Sequence, residues 1–84
     1  MDSLNEKIQI QSVTDANSGV KIENFQAATF NNIGTADATL VNSSGNIYTL
    51  TSGSNVSLST VGKIFDELTI NAPTGARIEI MYWS

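Results

Sequence analysis

The sequence contains no cysteine and no histidine. Without cysteine, no disulfide can staple a small fold. Without either residue, a His-based catalytic triad and every Cys or His metal site are excluded. Proline occurs once, at Pro73, so little interrupts strand pairing elsewhere. Charge is scarce at 14%, and four Lys and Arg stand against eight Asp and Glu, a formal net charge of -4. That sign disfavours non-specific binding to nucleic acid and to anionic membranes. No apolar run approaches the roughly 20 residues of a membrane helix. Residues 1–7 lack the basic-then-apolar pattern of a secretory leader. A chain running from Met1 to Ser84 is expected to be a whole protein rather than a fragment.

What is present points to strands. Of the 84 residues, 28 are Asn, Ser or Thr, a content that would suit disorder. Hydrophobic residues at 40% and a small net charge per residue argue against it. Val, Ile, Thr, Phe and Tyr are spread evenly, as pleated strands require. A single domain of this length has a radius of gyration of roughly 12 Å. It buries only about 60–65% of its unfolded surface and is marginal alone. So weakly charged a chain has little electrostatic solubility, which suits a part that works inside an assembly.

Residues 1–7 form a polar lead without periodicity, read as an arm, and residues 8–84 form a single domain. From Ile8 to Val13 apolar and polar residues alternate, the mark of a half-buried strand. Asp15-Ala16-Asn17-Ser18-Gly19 is a turn cluster. Val20 to Asn24 alternates again, and the parity then breaks, with Phe25, Ala27 and Thr29 on the other phase. A bulge or bend near Asn24 and Phe25 is expected. A turn follows at Asn31-Asn32-Ile33-Gly34. Residues 38–41 and 47–51 pair across a tight connection at Asn42-Ser43-Ser44-Gly45. Residues 56–59, weakly apolar, suit an edge. Leu68, Ile70 and Ala72 share one face of a strand over 65–72, closed by Pro73-Thr74-Gly75. One helical turn is weighed at residues 61–67. In the last strand, over 76–83, Ile78, Ile80 and Tyr82 face one way, and Arg77, Glu79, Met81 and Trp83 the other. Turn signals every 8–12 residues predict an all-β fold: a small antiparallel β-sandwich or jelly-roll-like barrel of six to eight short strands.

Few constellations suggest chemistry. Asp66 and Glu67 are adjacent, so a strand points them to opposite faces. Glu23 and Glu79 are the pair that a sheet could bring to the roughly 5–9 Å that glycoside hydrolysis needs, but solvated strand residues are the expectation. Asp15 to Gly19 echoes a calcium loop with its Gly one place early and no closing Glu, so a plain turn is expected. Asn42-Ser43-Ser44 and Asn55-Val56-Ser57 match the glycosylation pattern as chance in an Asn- and Ser-rich chain. No metal, cofactor or catalytic residue is assigned, and no enzyme is expected. Phe25, Phe30 and Phe65 are expected in the core. Tyr48, Tyr82 and Trp83 are candidates for a sugar platform. Met81 and Trp83, opposite a core-facing set, are candidates for an interface, together with Tyr82, Tyr48, Ile8 and Ile10. Removing residues 81–84 is expected to weaken assembly more than folding.

Several segments resemble small virion proteins of tailed bacteriophages, especially those of marine and Bacteroidetes hosts. They are Phe30-Asn31-Asn32-Ile33-Gly34-Thr35-Ala36-Asp37-Ala38-Thr39-Leu40-Val41, the Gly45 turn, Tyr48-Thr49-Leu50-Thr51-Ser52-Gly53, Phe65-Asp66-Glu67-Leu68-Thr69-Ile70, and Ala76-Arg77-Ile78-Glu79-Ile80-Met81-Tyr82. Where such proteins often carry a Pro-Gly-Glu loop, this chain has Thr51-Ser52-Gly53-Ser54. The resemblance implies a β-sandwich or jelly-roll that decorates a capsid, or belongs to a head fibre or tail, often as a homotrimer. It implies a location on the capsid exterior after synthesis in the host cytoplasm. The resulting expectation is a capsid decoration (cement) protein that bridges major capsid subunits through strand edges and its N-terminal arm. The alternatives are a receptor- or glycan-binding module of a fibre or tail, and an accessory domain of a cellular protein.

Overall fold

Eight strands form two four-stranded antiparallel sheets among the described residues. The computed structural model describes residues 8–59 and 65–83, with only the backbone of Phe65. The strands are β1 (Ile8–Val13), β2 (Val20–Phe25), β3 (Ala27–Asn32), β4 (Ala38–Asn42), β5 (Ile47–Leu50), β6 (Asn55–Ser59), β7 (Phe65–Asn71) and β8 (Ile78–Trp83). The first sheet has the order β1-β8-β3-β6 and the second β2-β7-β4-β5. β1 pairs with β8, β2 with β7, β3 with β6 and β4 with β5. The chain is thus one long antiparallel ribbon, turned back at Asn42 to Asn46 and rolled so that β3 also meets β8 and β4 meets β7. This is the two-Greek-key order of a jelly roll. The all-β sandwich expected from the turn spacing is the fold observed. The arm lies outside the described residues, as do residues 61–64 of the helical turn weighed at 61–67 and the side chain of Phe65; residues 65–67 belong to β7 instead.

Period-two alternation becomes a two-layer core. Val13, Phe30, Ile78 and Ile80 point inward from the first sheet, and Ile22, Leu40, Leu50, Leu68 and Ile70 from the second. Burying each such side chain is worth about 1.5–3 kcal/mol relative to exposure. Phe25 and Phe30 are in the core as expected, and Phe25 meets Tyr82 edge to face at 6.3 Å between ring centroids. The parity break falls where the chain leaves one sheet for the other. Asn24 lies at φ 56, the sole non-glycine residue at positive φ among those described, and Gln26 separates β2 from β3. Asn tolerates this conformation better than other side chains. In β3 the inward phase is Ala28, Phe30 and Asn32, so Thr29 faces outward instead of sharing a face with Phe25.

The turns are held by short side chains. Gly45 takes φ 87, and Asn42 Oδ1 accepts the Ser44 and Asn46 amides at 3.0 and 2.9 Å. Asp15–Asn17 forms a single 3-10 turn. Thr14 Oγ1 accepts from the Ala16 amide, Asn17 Oδ1 accepts from the Thr14 amide, and Asn17 Nδ2 donates to the Ser12 carbonyl. At one end of the sandwich, Asn31-Asn32-Ile33-Gly34 is a strand end before it is a turn. Asn32 is fully buried there, its Nδ2 donating to the Ala36 and Leu50 carbonyls at 2.9 and 3.0 Å and its Oδ1 accepting the Gly34 amide at 3.0 Å.

Candidate interaction surface

The strand registers place the sequence candidates. On the outer face of the first sheet, Ile8 pairs with Trp83 and Ile10 with Met81 across β1 and β8. On the other side of β8, Ala27 pairs with Trp83 and Thr29 with Met81. Ile8, Ile10, Met81 and Trp83 therefore make one contiguous apolar patch. Ile10 is 72% exposed and Met81 44%, while Ile8 and Trp83 are half-buried. The remaining row of the face is polar: Ser12, Glu79, Asn31 and Asn55 follow one another across the four strands. Glu79 is held by Ser12 Oγ at 3.0 Å and by Arg77 Nε at 3.1 Å. Where the apolar and polar parts meet lies a shallow depression of about 300 Å³ lined by Ile10, Thr29, Asn31, Glu79, Ile80 and Met81.

Tyr82 and Tyr48 lie elsewhere. Tyr82 turns to the core side of β8, against Phe25. Tyr48 stands on the edge strand β5, 51% exposed, beside Ile47 at 67%. It rims an apolar cleft of about 270 Å³ between β5 and β6, lined also by Leu40, Val56, Leu58 and Leu68. Tyr48, Tyr82 and Trp83 thus share no surface, so a sugar platform would rest on one of them at a time. β8 is an inner strand of its sheet, and residues 81–83 pair with both β1 and β3. Removing 81–84 would unpair two neighbours and uncover Phe25, so point substitutions on the outer face separate assembly from folding where truncation does not.

The carboxylates weighed as a pair lie apart, and Glu23 is exposed, as expected of a solvated strand residue. Glu23 lies on β2 of the second sheet and Glu79 on β8 of the first, on the outer faces of opposite layers, so they cannot approach. Glu23 is instead directly opposite Glu67 on β7. Strand alternation could not disclose this pair, because it does not reveal which strands are neighbours. Lys21 reaches Glu67 at 3.8 Å, a largely solvated pair that relieves the repulsion in part. Like charges directly opposite cost about 0.2–1 kcal/mol. Glu23→Gln is therefore expected to stabilise the fold by an amount of that order, and the gain should shrink with added salt. Urea unfolding at two ionic strengths measures both, and a variant less stable than the parent would refute the repulsion.

Asp66 is exposed and Glu67 half-buried on neighbouring positions of β7. Among the described residues, no group of three or more Asp and Glu could hold a metal ion. Asp15 belongs to the 3-10 turn, where its Oδ2 accepts from Thr74 Oγ1 at 3.4 Å. No helix among the described residues is long and apolar enough to cross a membrane. No protein-family profile matches the chain, and no curated protein or solved structure shows significant similarity to it.

Proposed function

We propose that the protein is a capsid decoration (cement) subunit of a tailed bacteriophage, bound to the capsid exterior and acting by contact with the major capsid protein. The observation that carries this reading is the apolar patch of Ile8, Ile10, Met81 and Trp83 on an otherwise polar sheet face. An aromatic and a methionine among aliphatics, rimmed by hydrogen-bonding groups, is the composition of a protein-binding surface. The rolled sandwich agrees with the resemblance to virion proteins, although a fold of this kind also serves lectins and cupins and does not by itself fix a function. The mechanism is bridging: the patch docks on one capsid subunit, while the arm and strand edges reach another or a further copy of this chain.

The test is the heat resistance of the phage particle. Particles stripped of the protein should release their genome at a lower temperature, and adding it back should restore resistance. The double variant Ile10→Ser, Met81→Ser should fold and fail to restore it, because both side chains are exposed and contribute little to the core. Unchanged particle stability after stripping would refute the proposal. A second reading, a glycan- or receptor-binding module, is favoured only by Tyr48 at the rim of its apolar cleft. It predicts glycan-array binding that Tyr48→Ala removes.

A further inference from the structure

A four-stranded sheet has two edges, and the four edges of this sandwich differ in protection. β2 carries Lys21 and Glu23 and ends in the kink at Asn24, all devices that discourage pairing with another chain. β5 is only four residues long. β6 flanks an outer face of Asn55, Ser57 and Ser59, which offers nothing apolar to bury. β1 is six residues long, with no charge, no proline and no residue at positive φ, and beside it stand Ile10 and Met81.

Hydrogen-bonding polarity along β8 settles which groups of β1 face outward. The Trp83 and Arg77 carbonyls accept the Gln26 and Ile33 amides on the β3 side, at 2.8 Å in both cases. By alternation, the odd-numbered residues of β8 serve β3 and the even-numbered ones serve β1. In β1 the ladder therefore uses Gln9, Gln11 and Val13, and the N–H and C=O groups of Ile8, Ile10 and Ser12 turn to the outer edge, where no other described strand pairs. The Ser12 carbonyl takes Asn17 Nδ2 at 3.0 Å with one lone pair and keeps its second for the edge, and Ile10 is the middle of the three outward positions.

We infer that two copies of this chain pair through β1, antiparallel about a two-fold axis at Ile10, joining their first sheets into one of eight strands. The edge is its own complement. A two-fold rotation sets each outward N–H of Ile10 against the C=O of the same residue in the other copy. On the outer face, Thr29, Met81 and Ile10 of one copy then run on into Ile10, Met81 and Thr29 of the other, so the exposed apolar side chains meet across the axis. Among the described residues, the nearest charges on that face, Arg77 and Glu79, are already paired with each other. The pairing does not depend on the capsid reading, since it forms in the purified protein, and it gives two-fold units where the resemblance implies trimers.

Light scattering on a sizing column across a dilution series tests the pairing. The parent should show twice the chain mass at the higher concentrations. Ile10→Pro should stay at the chain mass while keeping its strand content, because proline at an edge removes only an outward N–H and spares the β1–β8 ladder. If that variant fails to fold, amide hydrogen exchange of the parent decides. Exchange at Ile10 should slow as concentration rises, while Asn55 on the β6 edge stays fast. A parent that is monomeric throughout, a trimer, a dimer unmoved by Ile10→Pro, or Ile10 exchange independent of concentration would overturn the inference.

Discussion

Replacing Asn32 by aspartate is expected to cost about 3–5 kcal/mol at neutral pH, the scale of a buried charge left without a partner. A domain of this size has on the order of 4–13 kcal/mol in total, at about 0.05–0.15 kcal/mol per residue, so the loss removes a large fraction of the fold's stability. Asn32 has no exposed surface. Its amide nitrogen donates to two carbonyls, Ala36 and Leu50, and its oxygen accepts from Gly34. An ionised Asp has acceptors only. It would keep the Gly34 bond, but it would turn an oxygen toward the two carbonyls, which repel it and lose the bonds from Asn32.

The pH dependence of this variant has a definite sign. Burial beside two carbonyl oxygens, against a single amide donor, favours the neutral acid, so the carboxyl in the folded variant titrates above its unfolded value of about 3.9. The folded state then holds a proton that the unfolded state gives up. Stability relative to the parent is highest below about pH 4 and falls as pH rises through the folded value. When protonated, the acid regains one donor for one of the two carbonyls. Asn32→Ala lacks that rescue. It should lose about 3 kcal/mol at every pH, from three lost bonds at a buried site. Urea midpoints for the three proteins across the acidic range separate these cases. An Asp variant within about 1 kcal/mol of the parent at neutral pH would show that the buried cluster holds little energy.

The same residues show what the sequence disclosed and what it withheld. Ile78 to Trp83 alternates cleanly, because it lies in a sheet with one face buried, and its inward and outward sets are as the pattern implied. In β1 the alternation misleads: Ile8 and Ile10 lie on the outer face, and the core residue is Val13, on the other phase. The alternation in β8 alone put Met81 and Trp83 on an outer face. Placing Ile8 and Ile10 next to them took the β1–β8 register, a contact across nearly the whole chain. Asn32 went unread as a core residue because a polar side chain at an inward position breaks the pattern. With Asn31 before it and Gly34 after it, the stretch looks like a turn. The two adjacent alanines at the start of β3 hid its phase in the same way, both being buried. The kink at Asn24 was legible as a change of parity. That it marks the passage from one sheet to the other follows only from the rolled topology.

Gly34→Ala is the second large effect, and its cause differs from that of an ordinary turn glycine. Gly45, Gly53 and Gly75 take positive φ, but Gly34 does not. What it needs is room. A Cβ there would overlap the amide nitrogen of Arg77, the carbonyl oxygen of Gly75 and the carbonyl carbon of Ala76, all backbone atoms with no rotamer to change. The two segments touch because Ile33 N donates to the Arg77 carbonyl at 2.8 Å and Thr35 N to the Gly75 carbonyl at 2.7 Å. Ser52 Oγ also donates to the Gly34 carbonyl at 2.6 Å, so a third loop is tied to the same point. A methyl group must force these apart. Overpacking costs about 1–3 kcal/mol, and each stretched bond adds about 0.5–1.5 kcal/mol, for a total of about 3–5 kcal/mol. Gly53→Ala is the control. Nothing lies within 4 Å of its added Cβ, and only the positive φ of 81 opposes it, at about 1–2 kcal/mol. If the two variants unfold at the same urea concentration, close approach is not what Gly34 supplies. If Gly34→Ala is much the weaker, the loop over 33–36 is fastened to the turn over 75–77 by backbone contact that only glycine permits, directly beside the buried amide of Asn32.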